Sequence, residues 1–174
     1  MRKTTLWIVV SCCALAVAVL AIAQARQKPG LWEMTTRMTW QQSPFPAGMP
    51  NMASAMNAPH TVQVCVTKDM IDKYGGPLPQ SRNNECQASN VKLGANGMTA
   101  DWTCNGSMKG KGTVQSSWTD ENHITTKVHF TGTMQMGPEG KPVEWTNDTT
   151  SVYKGADCGS VKPVAEPKLS LIHI

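Results

Sequence analysis

The chain has 174 residues, of which 16 are lysine or arginine and 12 are aspartate or glutamate. Arg2 and Lys3 supply part of the small positive excess, so the rest of the chain is close to neutral. That balance excludes the basic surface expected of a protein that binds nucleic acid or an anionic membrane, and the length suits one domain.

The first 25 residues have the pattern of a secretory signal peptide. Arg2 and Lys3 precede an uncharged run at 6–22, and the small-residue motif Ala23-Gln24-Ala25 follows. We therefore predict a signal peptide at 1–25 that is cleaved on export to the periplasm or the medium of a bacterium. Two alternatives remain open: an uncleaved membrane anchor, since the run reaches the lower length limit for a span, and lipidation at Cys12.

Apolar and polar residues alternate through most of the remaining chain. A period of two is typical of antiparallel strands with one buried face. We expect a mainly β domain at 26–160, with about seven to eight strands in an antiparallel meander. The sheet should curl into a half-barrel, a barrel or a sandwich, because a flat sheet would leave its apolar face in water. The alternation is clearest in residues 32–40, 62–66, 98–104, 114–118 and 124–130.

The segment 41–60 interrupts this alternation with four prolines and three methionines, which predicts a loop. Met49, Met52, Met56 and His60 are spaced three or four residues apart within it. Thioether sulfur is a soft ligand that selects Cu(I), so periplasmic Cu(I) binding by these four residues is one hypothesis. The other interpretation treats the methionines as adaptable apolar filler over an opening of the sheet or a partner surface.

Only residues 68–74 are predicted to form a helix. Thr67 is a suitable N-cap residue, and the glycine at position 75 is a typical stop. Further along the chain, Asn96-Gly97 is a strong signal for a two-residue hairpin turn.

Four cysteines follow the predicted signal peptide, and no two of them have the spacing of a zinc site. In an exported domain this even number predicts two disulfides. A hairpin turn at Asn96-Gly97 places Cys86 nearly opposite Cys104, because their midpoint is residue 95, and Cys65 would then pair with Cys158. At the end of the chain we expect a tail at 161–168. Residues 169–174 match the translation of a transposon mosaic-end adapter and are interpreted as a sequencing artefact.

Tryptophan supplies most of the aromatic volume. Trp32, Trp40, Trp102 and Trp118 lie on the alternating apolar face, where they either fill a core or line a cavity for a small apolar ligand. Trp145 is harder to place, because its strand changes parity further on, which suggests a bulge.

The sequence contains no clear pattern of catalytic residues. His123 and His129 share a strand face but lie about 20 Å apart, too far to bind one metal ion. No Gly-x-Ser-x-Gly motif is present. A pair of catalytic carboxylates like that of a glycosidase could be drawn from Asp101, Glu144 and Asp148. However, Asp101 and Asp148 occupy the strand positions that alternate with the apolar residues, so they are expected to face solvent. We therefore predict that the protein is not an enzyme and carries no resident cofactor.

Several short motifs of the sequence, and the order in which they occur, resemble a bacterial exported family known as domain of unknown function 3617. The resemblance covers nearly the whole mature chain and implies an envelope protein without an assigned activity or catalytic residues. It also supports the β-rich, two-disulfide expectation. The motifs are Lys28-Pro29-Gly30-Leu31-Trp32-Glu33-Met34, Gln63-Val64-Cys65-Val66-Thr67, Trp102-Thr103-Cys104 and Gly155-Ala156-Asp157-Cys158.

The function expected from these observations is binding of a small apolar ligand or of an envelope protein partner, through the open end of the sheet and the 41–60 loop. Cu(I) binding is the first alternative, and a purely structural role in the envelope is the second.

Overall fold

The computed structural model describes residues 27–46, 55, 57–77, 85–137 and 139–163. The predicted signal peptide and the residues after 163, including the suspected artefact, lie outside these ranges. No helix among the described residues has the length and apolar character needed to cross a membrane. In chain order the elements are β1 (Gly30–Gln42), β2 (His60–Val66), α1 (Lys68–Tyr74), β3 (Cys86–Leu93), β4 (Gly97–Asn105), β5 (Met108–Asp120), β6 (His123–Gln135) and β7 (Gly140–Gly155).

The seven strands form one open antiparallel sheet in the order β2-β1-β7-β6-β5-β4-β3. From β3 to β7 each strand pairs with the next one along the chain. β1 instead pairs with the last strand, β7, and β2 occupies the edge beside it. The predicted mainly β, antiparallel architecture is confirmed, and its seven strands belong to one open sheet.

One face of the sheet, which we call the inner face, carries the core. Its side chains come from both halves of the sheet, with Trp32 on β1 and Trp102 on β4 in the same apolar cluster. Met70 and Ile71 of α1 belong to this cluster too. This single cluster therefore connects strands near opposite edges of the sheet and includes α1, which packs on the inner face. The opposite, outer face carries the polar residues of the alternation.

The ends of α1 follow the sequence prediction. Oγ1 of Thr67 accepts the backbone N–H of Met70 at 3.2 Å. At the other end Gly75 has φ 72°, and its N–H donates to the carbonyl of Ile71 at 2.8 Å. This left-handed conformation suits glycine and stops the helix against Trp118.

Both disulfides have the predicted partners. Cys86 and Cys104 are directly opposite each other in the β3–β4 ladder and are joined by a disulfide. The second disulfide joins Cys65 to Cys158, with a Cα–Cα distance of 5.5 Å. It connects the segment after β7 to the edge strand β2, across the intervening β1.

Candidate functional site

Three of the four tryptophans predicted to line a ligand cavity lie deep in the core. Trp32, Trp102 and Trp118 are 0%, 4% and 8% exposed. Nε1 of Trp32 donates to the carbonyl of Lys28 at 3.0 Å, and Nε1 of Trp118 donates to that of Ala95 at 3.1 Å. In this structure these three side chains therefore fill the core of the sheet.

Trp40 has a different environment. It is half-buried on the inner face and lies directly opposite Trp145 in the β1–β7 ladder. Phe45 packs edge-on against Trp40, and Phe130 stacks on Trp145 with a centroid distance of 5.2 Å. The Nε1 atoms of both tryptophans are buried and find no acceptor among the described residues. Since buried donors nearly always have partners, this aromatic pair lacks an acceptor that something else must supply.

Two further polar atoms on β7 are buried without a partner in the described part of the chain. They are Oδ1 of Asn147 and Oγ of Ser151. Both residues lie on the inner face together with Trp145 and Thr149, because alternate residues of a strand face the same side. We call these four residues the β7 polar column. Within it, Thr149 is satisfied, because its hydroxyl lies 2.8 Å from that of Thr36.

A row of hydroxyl side chains crosses the inner face at the level of Thr149. Successive cross-strand partners in this hydroxyl row are Ser116, Thr126, Thr149 and Thr36, on β5, β6, β7 and β1. The hydroxyls of Ser116 and Thr126 lie 2.8 Å apart. The core side of the sheet thus contains a buried polar band, which becomes visible only once the strand register is known.

Further along the strands the inner face becomes apolar again. Met108 and Met134 are opposite each other in the β5–β6 ladder and remain only partly buried. Met136, just beyond β6, is 38% exposed. We call these three residues the methionine end. The inner face therefore runs from the hydroxyl row, through the aromatic pair, to an apolar end that still reaches solvent.

The copper hypothesis rests largely on residues that the structure does not describe. Met49, Met52 and Met56 lie outside the described ranges. His60 is exposed at the start of β2, opposite Thr36 of β1. The described residues contain no group of three or more histidine, cysteine, aspartate or glutamate side chains that could hold a metal ion.

The outer face carries most of the charged residues. A shallow depression of about 580 Å³ extends across the strands from β3 to β6, and Asp101, Lys111 and His129 line part of it. Each of the three carboxylates considered for a glycosidase pair binds a different partner: Asp101 accepts from Nδ2 of Asn90 at 2.7 Å, Glu144 pairs with His129 at 2.9 Å, and Asp148 pairs with Lys127 at 3.3 Å.

A second pair of a histidine and a carboxylate, in addition to His129 and Glu144, lies at the turn between β5 and β6. Asp120 accepts the backbone N–H of Asn122 at 2.7 Å and pairs with Nδ1 of His123 at 2.9 Å. These hydrogen bonds, the one from Asn122 first, lower the pKa of Asp120 below its usual 3.8. Because both Asp120 and His123 are exposed to solvent, this arrangement is a turn-stabilising contact of the kind common on protein surfaces.

Sequence reasoning named Trp40 but did not include Trp145, Asn147, Thr149 or Ser151 in a site. Their positions on one strand, at every second residue, were readable. What could not be read was that β7 pairs with β1, which brings Trp145 opposite Trp40.

Comparison with known proteins gives one family. The model described as Protein of unknown function (DUF3617) matches residues 27–158, a range that includes all four paired cysteines. No curated protein and no solved structure is recognisably similar to the chain.

Proposed function

The chain belongs to the DUF3617 family, and we propose that it is an exported protein that binds a small, largely apolar ligand on the inner face of its sheet and catalyses no reaction. The observation that carries this proposal is the aromatic pair of Trp40 and Trp145. Its rings form an apolar wall, while both indole N–H groups are buried without an acceptor among the described residues.

Access to this wall is available from the methionine end. Trp40 is only half-buried, and Met108, Met134 and Met136 also retain contact with solvent. Partly exposed methionines adapt their shape to varied apolar partners, because the side chain is unbranched and flexible. A ligand entering there would cover apolar surface that the described residues leave open.

Export is supported by the two disulfides together with the signal-peptide pattern of residues 1–25. Disulfides persist in oxidising compartments such as the periplasm and are rare in the cytosol. This role suits a carrier or a sensor of small molecules in the envelope.

Native mass spectrometry of the oxidised protein, purified from a periplasm without added ligand, tests the proposal. We expect an adduct of a few hundred daltons on part of the population. Trp40→Ala should lose the adduct, because it removes half of the aromatic wall. Thr39→Ala is the matched control, since Thr39 is the adjacent residue of β1 and is exposed on the outer face.

Other results of the mass measurement would contradict the proposal or favour one of the alternative functions. A bare mass for the wild-type chain, with no uptake from a lipid extract, would contradict the proposal. An added mass of one copper ion that Met49→Ala abolishes would favour the Cu(I) alternative. A co-purifying protein chain would favour an envelope partner.

A further inference from the structure

The polar atoms of the inner face carry information about the ligand itself, provided that the proposed function holds. Trp40 and Trp145 are direct cross-strand partners, so their Cβ atoms lie about 4.5 to 5.5 Å apart. Their two unpaired N–H groups are donors only. Asn147 is the next inner-face residue on β7, about 7 Å along the strand, and its Oδ1 is an unpaired acceptor. Two donors and an acceptor thus occur within one small stretch of the sheet.

No charged side chain accompanies this group on the inner face. The inner-face neighbours of the aromatic pair and Asn147 are Met38, Val128 and Phe130. The charged residues at this level, such as Arg37, lie on the outer face. The nearest titratable positions on the inner face in the described part of the chain are His60, exposed on β2 beyond Thr36, and Lys141, exposed on β7 opposite Met134. The segment 43–59, which follows β1, contains no lysine, arginine, aspartate or glutamate either.

These surroundings restrict the polar group of a ligand. A carboxylate, phosphate or ammonium group taken out of water between these three side chains would have no charged group among its immediate neighbours, which is strongly unfavourable. A carbonyl oxygen has two lone pairs and can accept from both indole N–H groups. An amide N–H attached to the same carbonyl can then donate to Oδ1 of Asn147. One uncharged amide would satisfy all three atoms.

We propose that the ligand is an uncharged amphiphile whose carbonyl group, as an amide or an ester, binds between Trp40, Trp145 and Asn147. Its apolar chain lies toward the methionine end. Met134 is four residues beyond Phe130 on β6, which gives the chain a path of about 14 Å along the strand. The hydroxyl row, whose side chains are paired with one another, bounds the site on the other side.

The test compares four ligands that share one alkyl chain: the alkane, the methyl ester, the primary amide and the carboxylate at a pH where it is ionised. Dissociation constants come from tryptophan fluorescence titrations of the oxidised protein. Each hydrogen bond should strengthen binding roughly three- to tenfold. We therefore expect the amide to bind more tightly than the ester, and the ester more tightly than the alkane, with the carboxylate at least tenfold weaker than the amide.

Two variants test whether the order of ligand affinities depends on the indole N–H of Trp145 and on Oδ1 of Asn147. Trp145→Phe keeps the stacked ring but removes one donor, so the advantage of both carbonyl ligands over the alkane should fall about threefold or more. Asn147→Leu removes the acceptor, so the amide should lose its advantage over the ester while the ester keeps its advantage over the alkane. Thr150→Ala, at an exposed outer-face position of β7, should leave all four constants unchanged.

The outcomes separate the two proposals. If the alkane binds as tightly as the amide, or the carboxylate binds best, the inference about the polar group is overturned while apolar ligand binding stands. If none of the four ligands binds, the proposed function fails and the inference falls with it. An unchanged order of affinities in both Trp145→Phe and Asn147→Leu would also overturn the inference.

Discussion

Two buried serines on the inner face differ in whether their hydroxyl groups have a hydrogen-bond partner. Ser116 is 5% exposed, and its hydroxyl lies 2.8 Å from that of Thr126. Ser151 is 1% exposed, and its hydroxyl has no partner among the described residues. A buried hydroxyl without a partner has lost its hydrogen bonds to water and gained nothing in exchange. Stability alone gives no reason for a serine at position 151, whereas a bound water would.

This difference predicts opposite results for the same substitution. Ser116→Ala should lower the free energy of unfolding by about 1 to 2 kcal/mol, because it leaves the hydroxyl of Thr126 buried and unpaired. Ser151→Ala should leave it unchanged or raise it by up to about 1 kcal/mol, because it removes an unpaired group. Urea denaturation of the ligand-free variants measures both. Equal losses would mean that Ser151 has a partner inside the fold, and the β7 polar column would then need another explanation.

At the scale of elements, the end of α1 depends on a glycine for two separate reasons. Gly75 has φ 72°, and a Cβ added there would lie 2.8 Å from the ring of Trp118. Gly137, in the turn after β6, has φ 89° with nothing within 4 Å of the added Cβ. The two glycines therefore share the left-handed backbone but differ in packing.

Alanine at the two positions should separate these costs. Gly137→Ala should lower the free energy of unfolding by about 1 kcal/mol, the penalty for a left-handed backbone alone. Gly75→Ala should cost at least about twice as much, because the ring of Trp118 must also move. Urea denaturation under identical conditions gives both values. A Gly75→Ala variant no less stable than Gly137→Ala would show that α1 is loosely packed on the sheet.

The elements could be predicted from the sequence because each depends on residues close to one another in the chain. Trp102 and Cys104 are buried and alternate with less buried residues, and Thr67 and Gly75 define the ends of α1 through their immediate neighbours. Even the pairing of Cys86 with Cys104 lies within one local hairpin, although a register shift between Ser89 and Lys92 sets the two cysteines directly opposite each other. These predictions needed only the period of two and the chemistry of caps and turns.

The candidate site could not be predicted in the same way, because it depends on the register between β1 and β7, which are far apart in the chain. The parity change suspected after Trp145 is an instructive case. The structure keeps Trp145 and Ser151 on one face with no register shift between β6 and β7. The β1–β7 ladder instead has two register shifts. One lies between Leu31 and Trp32, and the other lies between Trp40 and Gln42, next to the aromatic pair.

At the scale of the whole molecule, the order of strands makes the first and last strands neighbours. β1 pairs with β7, so the sheet is completed only when the two ends of the domain meet. β2 is then held at the edge by β1 and by the disulfide from Cys65 to Cys158. This disulfide closes the longer of the two loops, with a sequence separation of 93 against 18 for Cys86 and Cys104.

Loop length predicts which disulfide contributes more to stability. In the chain-entropy treatment, the Cys65–Cys158 link should contribute about 4.7 kcal/mol and the Cys86–Cys104 link about 3 kcal/mol, because the longer loop removes more freedom from the unfolded chain. Urea denaturation of two double variants, Cys65→Ala with Cys158→Ala and Cys86→Ala with Cys104→Ala, measures this order. Cys104 is fully buried, so its loss also vacates core volume and works against the expected difference. A larger loss in the Cys65 and Cys158 variant would therefore be clear evidence for the entropic effect. The reverse order would mean that packing around the hairpin, and not closure of the two ends, dominates the stability of the sheet.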